Sequence, residues 1–336
     1  MEKYVISNNS VVHGSFGRVY TGYNRETNEP VAFKDIRFFD HVESVPSSVI
    51  RHLSLWREME HSNIIRLLDI LNVVQHGTIR VRLVFDYLDI NLKKFMDTHS
   101  ETAKNPHVIK RFLHQILSAL AYCHSHNILH QNLKPQYLFI DSSKRILKLA
   151  FRLFPTEFQS AGVVAVPSNP QGFEVGPGVL WYHPLEVLLG NSEKNSNPAA
   201  DVWSAGCIFA EMLHPLLDDS HEIELAEINN NYTLLPEDVG TLDEPNDISL
   251  AIILLSGIFH DENNPKNLTD AVPNLESAGL DLLSKMLCTV PEQRITACDA
   301  LKHPYFDDVV SSPIGYNFLS VFLSEVVLHQ LQNLLT

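Results

Sequence analysis

The spacing of apolar residues differs between the two parts of this 336-residue chain. Up to residue 88, apolar residues stand in short runs rich in β-branched and aromatic types, such as VRLVFDYL, and turn-like segments such as RETNEP separate the runs. Runs of this kind are typical of β-strands. Farther along, VIKRFLHQILSALAYCHSH repeats apolar residues with the period of a helix that is buried on one face. The sequence therefore predicts an α+β fold with a small β-rich N-lobe, a hinge and a larger α-helical C-lobe.

Composition narrows the class of protein and its surroundings. With 45% hydrophobic and 19% charged residues, the chain is not expected to be disordered. The formal net charge of −15 argues against binding to nucleic acids or anionic membranes, because their phosphates would be repelled. The segment MEKYVISNNS has no apolar signal core, no apolar run reaches membrane-spanning length, and the four cysteines are far apart. We expect a protein of the cytoplasm, the nucleus or both, with no membrane segment.

Six blocks of sequence follow one another in a characteristic order. They are VAFK, VPSSVIRHLSLWREMEHSNII, LVFDYLDINLKKFMD, HQNLKPQYLFID, DVWSAGCIFAEM and PEQRITACDALKHPYF. Together they resemble the eukaryotic protein kinases, specifically the PSTAIRE-type cyclin-dependent kinase family, over roughly residues 4–307. The resemblance implies a bilobal protein kinase fold, with a kinase-like N-lobe at 1–88 and a kinase-like C-lobe at 89–307. The apolar tail at 308–336 departs from the family and is predicted to be helical.

The resemblance also indicates where a nucleotide would bind. VAFK places Lys34 at the strand lysine that contacts nucleotide phosphates in kinases. Two substitutions weaken such a site. Val12 stands at the first glycine of the glycine-rich loop, where close backbone approach is needed, and Phe139 is larger than the family's residue under the adenine. The nucleotide-binding candidates are Val11, Gly14, Val19, Ala32, Lys34, Phe85, Asp86, Leu88 and Phe139.

Four positions that carry kinase chemistry hold residues unsuited to it. Asn132 replaces the catalytic-loop aspartate, and an amide cannot accept the substrate proton. Tyr137 replaces the metal-binding asparagine, and a neutral phenol is a poor ligand for Mg²⁺. Phe151 either stands at the metal-binding aspartate or follows its deletion after Ala150, and both alignments leave no carboxylate. His52 replaces the helix glutamate that pairs with the strand lysine.

Several architectural positions of the family are retained. By resemblance, Glu186 and Arg294 form a buried ion pair, Asp201 holds the backbone of the catalytic loop, and His130 packs in the core. The segment PSSVIR keeps much of the surface by which this family meets cyclins. The partner-binding candidates on it are Pro46, Ile50 and Arg51.

These observations favour a cyclin-dependent-kinase-like pseudokinase that acts through protein binding, with a cyclin-like protein or another kinase as its partner. ATP would bind weakly or not at all, and neither Mg²⁺ nor another metal is expected. A serine/threonine kinase with residual ATP-dependent activity is one alternative, supported by Lys34, Lys134 and the hinge. A drifting paralogue with no selected activity is another.

Overall fold

The structure, a computed structural model, describes ten stretches of the chain. They are residues 3–14, 17–38, 47–75, 78–141, 146–151, 163–164, 182–188, 197–213, 268 and 272–311. The chain divides into a first unit, residues 1–91 with 137–173, and a second unit, residues 92–136 with 174–336. Most of the predicted tail helix lies outside the described residues.

The first unit is built on an antiparallel sheet. Five of its strands are β1 Tyr4–Gly14, β2 Gly17–Asn24, β3 Pro30–Phe38, β4 Leu67–Gln75 and β5 Thr78–Asp86. Their order in the sheet is β1-β2-β3-β5-β4. The hairpin expected around RETNEP is found between β2 and β3, where Tyr23 pairs with Pro30 and Asn28 adopts a φ of 58°.

One face of this sheet carries its own apolar cluster. Tyr4, Val31, Phe33 and Val84 are buried together, and the rings of Tyr4 and Phe33 meet edge to face at 6.0 Å. Gly22 allows β1 and β2 to approach here, because an added Cβ would lie 2.0 Å from the Val5 carbonyl oxygen. Successive residues of a strand point to opposite faces of the sheet. The apolar cluster therefore covers one face, and the side chains of Ala32 and Lys34 lie on the other.

Helix α1, Ser47–Glu58, belongs to the first unit and lies where PSSVIRHLSLWREME predicted a helix. Leu53 and Trp56 are buried, whereas Ile50 and Leu55 are 53% and 47% exposed. The helix thus packs through one stripe and leaves apolar side chains on its outer surface.

A second, three-stranded sheet completes the first unit. Its strands are β6 Ile90–Asn91, β7 Leu138–Asp141 and β8 Ile146–Leu149, in the order β6-β7-β8. Leu149 of β8 accepts a hydrogen bond from Ile65 N and donates one to Asn63 O, each 2.8–2.9 Å long. These bonds join β8 to the connection between α1 and β4. A short strand β9, Val163–Val164, pairs with the end of β3.

The second unit is helical. Its helices are α2 Leu92–Thr98, α3 Ser100–Ala103, α4 Pro106–Ser125, α5 Leu185–Leu188, α6 Pro198–Leu213, α7 Ser277–Met286, α8 Ala297–Ala300 and α9 Asp307–Ser311. The predicted stripe of α4 is confirmed, since Phe112, Leu113 and Ile116 are fully buried. Asn105 caps this helix by accepting a hydrogen bond from His107 N. Within the described residues, no helix has both the length and the apolar composition to cross a bilayer.

Candidate functional site

One face of the first-unit sheet collects four of the predicted nucleotide-binding positions. Val19 lies opposite Lys34 in the β2–β3 pair, and Ala32 lies opposite Phe85 in the β3–β5 pair. Residues directly opposite one another share a face, and alternate residues along a strand return to it. The four side chains therefore share one face, and those of Lys34 and Phe85 are buried.

The glycine-rich segment lies in β1. Val11 lies opposite Tyr20, and Val12 lies opposite Val19. An irregularity in the β1–β2 pairing after Ile6 shifts the alternation along the strand. Val11 stays a prediction as a nucleotide contact. Gly14 lies opposite Gly17 at the end of the hairpin.

The segment that follows β5, predicted to be the hinge, is tied to two neighbouring elements. Asp86 Oδ2 accepts hydrogen bonds from Lys148 Nζ at 2.6 Å and from Arg66 N at 3.4 Å. Asp86 N in turn donates to Arg66 O at 3.3 Å. Phe139 lies opposite Lys148 in the β7–β8 pair, and both Phe139 and Leu88 are half-buried. The sequence did not predict the Asp86–Lys148 ion pair.

Phe151 is an apolar anchor of the first unit. It lies two residues after β8, it is buried, and its ring meets Trp56 of α1 edge to face at a centroid distance of 5.8 Å. The Trp56 ring also lies 5.0 Å from the Phe85 ring, and its Nε1 donates a hydrogen bond to Ile65 O at 3.3 Å. Phe151 thus belongs to an aromatic cluster that joins α1 to β5.

Tyr137 is also a core residue. It is 1% exposed and among the largest fully buried side chains, and its carbonyl oxygen accepts a hydrogen bond from Ala150 N at 2.8 Å. By resemblance, Tyr137 stands at one metal-binding position of kinases, and Phe151 either stands at the other or follows its deletion after Ala150. Mg²⁺ requires hard oxygen ligands in near-octahedral geometry, and two buried aromatic rings do not fit it. Among the described residues, no group of three His, Cys, Asp or Glu side chains could hold a metal ion.

In the second unit, Asp201 at the start of α6 organises the loop that precedes Asn132. Its carboxylate accepts hydrogen bonds from His130 N at 2.9 Å and Gln131 N at 2.8 Å, and His124 Nε2 lies 2.9 Å from it. Gln131 has a φ of 64°, a left-handed conformation that these bonds hold in place. Asp201 and His130 are buried. The loop is thus held through its backbone at His130 and Gln131.

Glu186 and Arg294 form a buried ion pair in the second unit. Arg294 Nη1 and Nη2 lie 2.7 and 3.2 Å from the two carboxylate oxygens of Glu186. Arg294 also donates to Cys288 O and Ala199 O, each at 2.8 Å, and its guanidinium lies over the Trp203 ring. The guanidinium is therefore satisfied on several sides, which a buried charge requires.

The partner-binding candidates lie on or next to α1. Ile50 and Arg51 are exposed on its surface, close in sequence to exposed Leu55. Pro46 and the side chain of His52 lie outside what the structure describes.

Besides the Asp86–Lys148 ion pair, two features of the structure went unnoticed in the sequence. The first is the contact between Trp56 and Phe151, which joins residues far apart in the chain. The second is Glu211, which is buried in α6 and accepts a hydrogen bond from Tyr182 Oη at 2.7 Å. Burial raises the pKa of Glu211 to about 7. The sequence signal for this buried acid was the presence of Glu211 within the largely apolar segment AAD…FAEML.

The strand order, the helical second part and the Asp201-organised loop define the class of protein. They are features of an α+β, bilobal kinase fold, which confirms the predicted fold class. A family model for the protein kinase domain matches residues 7–306. The chain therefore belongs to the protein kinase family.

Proposed function

We propose that this protein is a cyclin-dependent-kinase-like pseudokinase that acts by binding another protein and does not transfer phosphate. One observation carries the proposal: Tyr137 and Phe151, which stand at or beside the positions that resemble the metal-binding positions of kinases, are buried aromatic side chains. Kinases use Mg²⁺ to bridge the transferring phosphates and to neutralise developing charge. Without ligands for the metal, the largest contribution to catalysis is lost.

The position of the catalytic base supports the same conclusion. Asn132 has an amide in place of a carboxylate and cannot accept a proton at neutral pH. Loss of a positioned base alone reduces rates by roughly 10²–10⁴-fold. The shared face of Val19, Ala32, Lys34 and Phe85 supports, at most, weak nucleotide binding that does not depend on Mg²⁺.

We propose that the protein acts by binding a protein partner. Ile50 and Leu55 place exposed apolar area on α1 beside exposed Arg51, and apolar area rimmed by charge is typical of docking surfaces. We propose a cyclin-like protein or another kinase as the partner. The net charge of −15 disfavours nucleic acid and anionic membranes, and we propose action in the cytoplasm, the nucleus or both.

Thermal unfolding with ATP, measured with and without Mg²⁺, tests the nucleotide part of the proposal. A ligand at a hundredfold excess over its Kd stabilises a protein by about 2.7 kcal/mol. We expect no shift in Tm, or a small shift of equal size with and without the metal. The Lys34→Ala variant is the control, and it should remove any shift that occurs. A large stabilisation that requires Mg²⁺ would contradict the proposal.

Phosphotransfer separates the proposal from the residual-kinase alternative. That alternative is favoured by Lys34 and Lys134. Both side chains are buried, although lysine side chains are rarely buried in proteins. We expect incorporation of labelled phosphate into a generic serine/threonine substrate to be the same for the natural chain and for Lys34→Ala. Activity that disappears with Lys34→Ala would favour the kinase.

Binding to a panel of purified cyclins separates the proposal from the drifting paralogue. Ile50→Asp should abolish capture of the cyclin that binds, because it places a charge in the apolar contact. Val290→Asp is the matched control, since Val290 is a similarly exposed apolar residue in the second unit. Equal effects of the two substitutions would count against α1 as the docking surface.

A further inference from the structure

In the second unit, Tyr182 is held at both ends by helix α6. Ser204 Oγ donates a hydrogen bond to Tyr182 O at 2.6 Å, and Tyr182 Oη donates one to Glu211 Oε2 at 2.7 Å. Ser204 and Glu211 are about two helical turns apart, so they lie on the same face of α6. All three residues are buried. The side chain of Tyr182 therefore lies along α6, and Glu211 fixes its far end.

The surroundings of Glu211 oppose the charged form of its carboxyl group. Glu211 is 2% exposed, and within the described part of the chain the Tyr182 hydroxyl is its one hydrogen-bond partner. Buried carboxylates are normally paired with a cation or with several donors, because the charge loses its hydration. The hydrogen bond from Tyr182 favours the anion, whereas burial disfavours it. Burial has the larger effect and raises the pKa of Glu211 to about 7.

The other ionisable groups near Glu211 do not relieve this conflict. Lys93 and Asp97 of α2 act on Glu211 in opposite directions, and they form an ion pair with each other at 3.3 Å. Cys207, one turn earlier on α6, is buried, and burial raises the pKa of its thiol to about 12, so the thiol is neutral near pH 7. Arg294, which acts on Cys207, is engaged by its own buried carboxylate partner. The charge state of Glu211 is therefore set mainly by its burial and by the tyrosine hydroxyl.

We propose that the contact between Tyr182 and Glu211 is a catch, which holds residues 182–188 on α6 while Glu211 is neutral and releases them locally when Glu211 ionises. An ionised Glu211 regains hydration if Tyr182 moves away, whereas a neutral Glu211 gains much less. The opening stays local, because Arg294 holds Glu186 in the same stretch by a separate ion pair. Such a catch is a pH-dependent device beyond the binding role proposed above.

Hydrogen exchange at pH 6 and pH 8, followed by mass spectrometry and corrected for the intrinsic pH dependence of exchange, tests the catch. Glu211 has a pKa of about 7 in the closed form and its ordinary value of 4.5 in a hydrated open form, so the protection of residues 183–188 should fall about tenfold between the two pH values. Glu211→Gln keeps an oxygen that accepts from Tyr182 and cannot ionise, so protection should change by less than about twofold. Glu101→Gln is the control: it removes a carboxylate from an exposed position of the second unit and should keep the tenfold fall.

Two results of this experiment would overturn the proposal. The first is an equal fall in protection in the natural chain and in Glu211→Gln. The second is protection of residues 183–188 that equals that of the buried residues Phe112 and Ile116 of α4, because exchange would then require global unfolding and not a local opening. Lower protection than in α4, with a fall that Glu211→Gln removes, would support the catch.

Tyrosine variants supply a second measurement in which the carboxyl group is unchanged. Tyr182→Phe should lower the protection of residues 183–188 about tenfold at pH 8, because it removes the hydrogen bond to Glu211. Tyr305→Phe is the matched control, since it removes the hydroxyl of another buried tyrosine of the second unit and should change protection by less than about twofold. Equal protection in the two variants would overturn the proposal. Circular dichroism of each variant verifies folding, and because phosphotransfer and cyclin binding are not measured, failure here leaves the pseudokinase proposal intact.

Discussion

Replacing Phe151 by aspartate tests whether the metal position can be recovered. In the alignment that places Phe151 at the metal-binding aspartate, the substitution returns the carboxylate with which kinases hold Mg²⁺. We expect the Phe151→Asp variant to lose stability without gaining metal binding. The reason is that Phe151 is buried, and its ring meets Trp56 edge to face at 5.8 Å.

The size of the loss follows from three contributions. Truncation of a buried phenylalanine costs about 3–5 kcal/mol, which includes the cavity that it leaves. The edge-to-face contact with Trp56 accounts for about 0.5–1.5 kcal/mol of aromatic pairing. The new carboxylate is also placed among apolar rings, where desolvation penalises its charged form. Since Phe151 is 9% exposed and not completely buried, we expect a net loss of about 4 kcal/mol, a large share of a typical stability.

Urea unfolding followed by circular dichroism and tryptophan fluorescence measures this loss. Phe151→Leu is the control, because it keeps an apolar side chain of similar volume and should cost about 1–2 kcal/mol. Each variant is measured with and without Mg²⁺ and ATP. A loss below about 1 kcal/mol for Phe151→Asp, or a stabilisation by Mg²⁺ in this variant alone, would refute the reasoning. Either result would mean that the position is open to water and to metal.

Two further predictions concern the second unit. Arg294→Met should destabilise the protein by about 3–5 kcal/mol in urea unfolding, because it leaves the Glu186 carboxylate buried without its partner. The double variant Arg294→Met/Glu186→Met should recover much of that loss, because it removes the unpaired charge as well. Burial raises the pKa of Glu211 from its ordinary value of 4.5 to about 7, so the folded chain keeps a proton that the unfolded chain releases. The contribution of Glu211 to the unfolding free energy is therefore full below about pH 4.5 and is lost as the pH rises through about 7. The total loss is about 3 kcal/mol. Glu211→Gln should flatten this pH dependence of the unfolding free energy.

The order of the elements was predictable because it rests on local patterns. The stripe of α4 repeats every three to four residues, and its buried face appears as predicted. The β2–β3 hairpin follows from the turn residues of RETNEP. The register of β1 was not predictable, because it changes at an irregularity after Ile6, beyond which Val12 lies opposite Val19. Register depends on pairing between strands, which no single segment encodes.

The residue types at the candidate site could be read from the sequence, whereas their contacts could not. The absence of a carboxylate can be read at one position, as at Asn132 or Phe151. The contacts found in the structure join distant parts of the chain, such as Trp56 with Phe151 and Asp86 with Lys148. Such contacts become visible only when the strands and α1 are placed together. The sequence therefore predicted a poor Mg²⁺ site, which stays a prediction, but could not show that Phe151 packs against Trp56.

Asn132 and Phe151 have different surroundings in the fold. Asp201 holds the loop before Asn132 through the backbone N–H groups of His130 and Gln131. Phe151 instead contributes buried apolar area and a ring contact with Trp56, which stabilise the first unit as an unpaired carboxylate could not. Under the proposed function, a return to catalysis would have to remove that packing before a metal could bind at this position. This opposition is a physical reason for the proposed inactive state to persist.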